Sequence, residues 1–320
     1  MSSLVARFAA NIFWLARYLE RAENLARILH INETYARDKP EGPDWKRVLD
    51  LYSDNKRFGE TYDEVNAASV LQFYMLDRNN YSSIASCIVN ARENARSVRH
   101  LISTEMWTHL NIFYGQLLTL TARDIRLSNL SNIANDIVLN CQTFEGIAEG
   151  TFMRGEPWSF YQLGKYIERA DQTTRVLDIG YGLLPIGDGN ATTSVQWNVL
   201  LRSVSGYHAY RSRYSGHASE QDMERFLLYD SEFPRALELC ARRVTDRLRE
   251  LEARNGTKRH SHVERARRQL EFALETGPGK KITPKKLHDF LDSIQVQLGA
   301  LTNAVSVTYF GSEPVKGKSS

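Results

Sequence analysis

The chain has 320 residues, of which 42% are hydrophobic and 25% charged, with a formal net charge of +3. Those values exclude a disordered, fibrous or disulfide-stapled chain and leave enough length for a large core without covalent support. The three cysteines, Cys87, Cys141 and Cys240, lie far apart with no CxxC or Cys/His spacing, so they read as reduced core thiols of a cytoplasmic protein.

From the N-terminus, the first apolar stretch, Phe8 to Ala16, ends at Arg17, Glu20 and Arg21. It is too short to span a bilayer and has no signal-peptide cleavage pattern, so neither membrane insertion nor export is expected. Apolar residues recur at gaps of three and four through nearly every long segment, and alternating polar and apolar runs are absent; this predicts an all-α fold, a multi-helix bundle. Turn chemistry falls at 38–43, at 185–190, at Asn255-Gly256 and at Gly277-Pro-Gly279, and a tail rich in Gly, Ser and Lys, 311–320, is expected to be flexible.

An internal repeat organises the whole. Phe13-Trp-Leu-Ala-Arg-Tyr-Leu-Glu-Arg-Ala-Glu-Asn-Leu-Ala-Arg27 matches Tyr161-Gln-Leu-Gly-Lys-Tyr-Ile-Glu-Arg-Ala-Asp-Gln-Thr-Thr-Arg175 at an offset of 148, with Tyr, Glu, Arg, Ala and the final Arg coinciding. At an offset near 152, Trp45 pairs with Trp197, Phe58 with Tyr210 and Tyr62 with Tyr214, and Asp77 then corresponds to Asp230. Anchors in the same order with drift absorbed in loops point to two pseudo-repeated halves of about 150 residues, about 1–155 and 156–310, in a single domain covering 1–310.

Within the repeated helix, Ile12, Leu15, Leu19, Ala22, Ala26 and Leu29 form a narrow apolar seam, and Phe160, Leu163, Ile167, Ala170, Thr174 and Leu177 form its counterpart. At ~100° per residue, Glu23 and Arg27 border the seam, Glu20 lies a little further round, and Arg21 points away from it, towards water or a partner. Glu23 with Arg27, and Asp171 with Arg175, stand in the favourable order for ion pairs four residues apart. Retention of this charge pattern in both copies has two readings: a salt-bridge network that docks the halves, or a charged cleft for a ligand. Glu20 with Glu23, and Glu168 with Asp171, resemble metal-binding carboxylate pairs in spacing, but without histidines at the second place and with arginines adjacent no metal is expected. The same four carboxylates are the candidates for acid–base catalysis should burial separate their pKa values.

These stretches, together with Ala91-Arg-Glu-Asn-Ala-Arg96, Ser103-Thr-Glu-Met-Trp107, Leu201-Arg202, Ala209-Tyr-Arg211 and Phe233-Pro-Arg235, resemble the Alpha-E family of bacterial helical proteins over about Leu4 to Phe310. The resemblance implies an all-helical fold and genes neighbouring ATP-grasp-type ligases of circularly permuted form and peptide-processing proteins; it implies no reaction and no cofactor. Carried over position by position, it marks Arg17, Glu20, Arg21, Glu23, Arg27, Arg92, Glu93, Arg96, Glu105, Glu168, Arg169, Asp171 and Arg175. Lys165 stands where the first copy has Arg17, and the second half has no equivalent of Arg92-Glu-Asn94.

Other signals are weaker. Residues 235–290 carry 15 Lys and Arg against 8 Asp and Glu, but the acids are interspersed, so solvated helix faces are expected rather than a nucleic-acid surface. Gly277-Pro-Gly-Lys-Lys281 lacks the spacing and preceding strand of a phosphate loop. The expected function is that of a helical partner of an ATP-grasp-type amide or peptide ligase. It would bind an amino acid or peptide in a charged cleft through Arg17, Arg21, Arg27, Arg92, Glu93, Arg96, Arg169 and Arg175. A stand-alone enzyme using Glu20, Glu23, Glu168 and Asp171, and a pure scaffold, are the alternatives.

Overall fold

The computed structural model describes residues 4–36, 44–183, 197–198, 200–214, 220–255, 261–278 and 283–311. The expected turns at 38–43 and 185–190, Gly256, Gly279 and the tail from 312 onward lie outside them. Among the described residues there are helices, turns and bends but no strand.

The helices are α1 (Ala6–Ala36), α2 (Trp45–Leu51), α3 (Asn55–Gly59), α4 (Ala67–Leu71), which runs on into a π-helical turn (Gln72–Leu76), α5 (Ile84–Ser97), α6 (Thr104–Leu118) and α7 (Leu127–Thr151). Then follow α8 (Glu156–Leu183), α9 (Tyr207–Arg213), α10 (Glu220–Tyr229), α11 (Leu237–Asn255), α12 (Ser261–Thr276) and α13 (Pro284–Phe310). Their starts are written in local chemistry. Ser83 and Ser103 accept from the backbone N–H three residues on, Asn66 closes a capping box with Ser69, and Thr283 caps α13 ahead of Pro284. α13 stops at Gly311, whose φ of 69° suits a residue without a Cβ.

Two long helices, α1 and α8, form the centre. Contacts between them advance together along both chains, from Leu4 with Glu156 through Phe13 with Gly164 to Glu20 with Arg169, so they run side by side in the same direction. At Gly164 a Cβ would stand 2.3 Å from the Phe13 carbonyl oxygen; the small residue is what lets the backbones approach this closely. Around this pair, α1 packs on α5 and α7, and α8 packs on α11 and α13. The end of α13 closes one side, where Phe310 meets Phe13 and Tyr309 meets Phe160.

Every residue of the two expected seams is buried. The seams are nevertheless not narrow. Arg17, Glu20, Glu23, Asn24, Glu168 and Gln172 are buried as well, because both central helices have neighbours on nearly every side. The three cysteines are free thiols in the core, and burial pushes Cys87 and Cys240 up to about 12.

Candidate functional site

The charged residues of α1 and α8 meet each other. Arg21 donates from Nε and Nη2 to the two carboxylate oxygens of Glu168, at 2.6 and 3.0 Å. Arg169 does the same to Glu20, at 2.8 and 2.8 Å. The two Glu-Arg dipeptides thus exchange bidentate ion pairs across the helix interface, a geometry that suits the planar guanidinium. This corrects the outward placement expected for Arg21. The wheel ranks faces by apolarity alone, and the second central helix supplies a carboxylate where the wheel implied water.

Two clusters grow from this exchange. In the first, Arg235, from the loop before α11, is buried with its Nη1 donating to Glu20 and to the Asn24 side-chain oxygen at 3.0 and 2.9 Å, and its Nη2 to Glu23 at 2.5 Å. Arg27 completes the cluster, binding Glu23 at 2.7 Å and donating Nη1 to the Ser203 carbonyl at 2.9 Å. In the second, Arg17 donates Nε to Glu168 at 2.7 Å and Nη1 to the Thr302 hydroxyl at 3.1 Å. Arg175 binds Asp171 at 2.9 Å and donates Nη1 to the Leu51 carbonyl at 2.7 Å. Gln172 donates to Glu168 and accepts from the Tyr52 hydroxyl. The pairs expected four residues apart, Glu23 with Arg27 and Asp171 with Arg175, both form.

Burial would raise the pKa of both central glutamates, but their guanidinium partners outweigh it. Arg169 and Arg235 hold Glu20 well below the usual carboxylate range, and Arg21 and Arg17 hold Glu168 down to about 2. Both are therefore fixed anions near neutral pH, occupied as acceptors. Lys165 pairs with Glu145 on α7 instead of with Glu20, and it is Arg235 that takes up the charge Arg17 supplies on the other side.

The second cluster opens onto a cavity of about 200 Å³. Its wall includes Arg21, Asp171, Gln172 and Arg175 from the central helices, and Tyr52, Asp54, Arg57, Tyr74, Tyr81 and Ser82 from the segment running from the end of α2 to the start of α5. Asp54 binds Nη2 of Arg57 and accepts from the Tyr74 hydroxyl; burial raises its pKa in spite of Arg57. Nε and Nη1 of Arg57 are buried without an acceptor. Tyr81, 65% exposed, lies over this guanidinium at 4.1 Å.

A family model named Alpha-E, described as a predicted alpha-helical domain with a conserved ER motif, matches residues 4–310. The chain belongs to the Alpha-E family. It is similar to uncharacterized proteins of Mycobacterium bovis and of a Mycobacterium tuberculosis strain, 24% identical over 273 residues in each case, and to one from a second M. tuberculosis strain at 23%. Each match covers 79% of this chain and 30% of the relative, so the chain spans less than a third of the length of these relatives. No solved structure matches it.

The remaining candidates of the Alpha-E chain lie apart from the two clusters. Arg92 on α5 binds Asn111 and Glu93 and lies over Trp107 and Tyr114 of α6, while Arg96 pairs with Glu93. Glu105 is exposed in the first turn of α6. In the basic region, Arg247 and Arg254 pair with Glu250, Arg267 with Glu271 and Arg268 with Glu264, as solvated helix faces do. Among the described residues no group of three or more His, Cys, Asp or Glu is placed to hold a metal ion, and no helix is long and apolar enough to cross a membrane. Sequence reasoning missed Arg57, Tyr52, Asp54 and Tyr74 altogether. It met Arg235 only as part of Phe233-Pro-Arg235, a signal that could have placed it in the site.

Proposed function

We propose that this Alpha-E protein is a cytoplasmic helical partner of an ATP-grasp-type amide or peptide ligase, and that it binds an amino-acid or peptide substrate in a charged site beside the α1–α8 crossing. The observation that carries the binding half is the cavity at the second cluster, where Arg57 points two buried donors at no acceptor. A buried donor without a partner is costly in a folded protein and marks a place where an outside acceptor is welcome. The association half rests on the family resemblance. It is favoured by the matched region being 30% of the length of its relatives, in which this fold is one part of a longer polypeptide.

Binding is preferred to catalysis by the carboxylates. Glu20 and Glu168 are held ionised and saturated by arginines, the opposite of what a general acid needs. The two halves read from the sequence support the same picture. Leu51 and Ser203, the carbonyls that receive Arg175 and Arg27, stand at the offset near 152, and so do Ser53 and Ser205, both left-handed with φ of 54° and 55°. The order α1, α5, α7 around one centre recurs as α8, α11, α13 around the other. We infer a duplicated half whose two copies trade their Glu-Arg pairs.

The test has two arms. Titration of the purified protein with short peptides should show saturable binding, and absence of binding to any would remove the substrate role. Affinity purification from cells that make the protein should recover an ATP-grasp ligase whose ATP-dependent amide formation changes when this protein is added; a ligase indifferent to it would remove the partner role.

A further inference from the structure

The two clusters differ at one position that explains the cavity. Counting from Asp77 and Asp230, the fifth residue on is Ser82 in the first half and Arg235 in the second. Arg235 drives its guanidinium into the first cluster, between Glu20, Glu23 and Asn24. Ser82, with only a hydroxymethyl group, lines the cavity at the second. One site is filled from within by its own chain and the other is left open.

The open site does not ask for a second guanidinium. Around it, Arg17, Arg21, Arg57 and Arg175 stand against Glu168, Asp171 and Asp54, one cation in excess. The first cluster also has one more cation than anion, but Arg27 and Arg235 place their remaining donors on the Ser203 carbonyl and the Asn24 side chain. In the second, Arg17 and Arg175 are likewise satisfied by Thr302 and Leu51, so the excess charge and the missing acceptors coincide at Arg57. A guest cation would face three guanidinium groups at the wall; a single carboxylate would neutralise the site and supply an acceptor to Arg57, whose Nη2 is already committed to Asp54 while Nε and Nη1 are not. The volume sets the size: about 200 Å³ equals the liquid share of roughly seven waters and lies below the range of roughly 300–1,000 Å³ typical of drug-sized ligands. One amino-acid residue fits that space.

We propose that this cavity binds a free α-carboxylate, that of an amino acid or of a peptide's C-terminal residue, on Arg57 beneath Tyr81, and that Arg235 permanently fills the corresponding site at the other cluster. The proposal deepens the ligand-binding reading above and rests on it. Asp171 at the same wall is the group that an ammonium or peptide N–H of the guest would meet. The exposed ring of Tyr81 is the cover that turns aside to admit it.

The test is calorimetric titration of the full chain with L-alanine, N-acetyl-L-alanine and L-alaninamide. N-acetyl-L-alanine stands for a peptide end, L-alanine for a free amino acid, and the amide removes the carboxylate. Tighter binding of the acetylated or of the free acid assigns the source, and L-alaninamide should bind at least about tenfold more weakly than the better acid. Arg57→Gln should weaken the acids by about the same factor. Ser82→Met, which fills the cavity without adding charge, should abolish binding while the circular dichroism and Tm stay near wild type. Equal affinity for the amide, or acid binding that survives Arg57→Gln unchanged, overturns the carboxylate site and leaves ligand binding elsewhere standing. Absence of binding by all three probes together with absence of any peptide binding overturns both.

Discussion

The charged clusters on either side of the α1–α8 crossing are built from the same kinds of residue and end in different states. Around Glu20 and Glu23 the arginines find acceptors for their outlying donors, and a buried arginine from the loop before α11 fills the middle. Around Glu168 and Asp171 the central ion pairs are as close, yet a cavity remains and the guanidinium of Arg57 is left incomplete. The difference teaches that the Glu-Arg pattern by itself is architecture: it holds two central helices together in both clusters. On our reading of the two halves as copies, what separates a closed cluster from an open one is a residue outside that pattern, arginine at 235 against serine at 82.

The strongest way to break the comparison is to remove the plug. Arg235→Ala leaves Glu20 and Glu23 short of a partner in a buried place, and truncating one side of such a network costs about 3–5 kcal/mol. Urea unfolding should report that loss. A loss below about 1 kcal/mol would mean that the two clusters are equally tolerant of a hole and that Arg235 is no structural counterpart of anything.

Acid sharpens it next. Glu168 is held at about 2 and Glu20 lower than usual, against an unfolded value near 4.3. A carboxylate with a depressed folded pKa contributes stability above its unfolded pKa and loses it as pH falls towards the folded one. Stability should therefore drop between about pH 4.5 and 2, with Glu168 alone accounting for roughly 3 kcal/mol. Urea midpoints measured across that window should fall less steeply in Glu168→Gln, which starts less stable but has no proton to take up there. An unchanged slope would place the acid sensitivity elsewhere.

A change at the shared crossing should strike both clusters alike. Gly164→Ala puts a methyl group into the Phe13 carbonyl, and because backbone must move, the cost should be in the range of about 1–3 kcal/mol. Gly150→Ala, whose Cβ would meet nothing within 4 Å, is the matched control and should cost nothing or stabilise.

Much of this could be read from the chain, and the boundary is physical. The all-helical class and the buried seams followed from local spacing, as did the pairs Glu23 with Arg27 and Asp171 with Arg175, because helical contacts three and four residues apart are fixed by the helix itself. Arg21 was misplaced because its partner is 147 residues away, across a parallel helix pair whose alignment no local period encodes. The cavity was invisible for a related reason. Tyr52, Asp54, Arg57 and Tyr74 sit on or between helices of five to seven residues, too short to show a face, and Tyr52 meets Gln172 and Arg175 of α8 only through the tertiary fold.

The smallest expected effect is also the most telling. Arg57→Gln removes a guanidinium with one close ion pair, to Asp54, while two of its donors have no acceptor, so the folded state loses little by its absence. Asp54 is buried, but a glutamine at 57 can still donate to it and the Tyr74 hydroxyl remains as a donor, so the net change should stay at about 1 kcal/mol. The same substitution at Arg235, whose carboxylate partners are Glu20 and Glu23, should cost several times more. A residue whose removal hardly disturbs the fold, yet which is built into a cavity wall with unmet donors, is held there for something other than stability, in the manner of functional residues that trade stability for a role. Urea unfolding of the two variants side by side decides it. A large loss in both would make Arg57 as structural as Arg235, and the asymmetry between the clusters would reduce to a difference in packing.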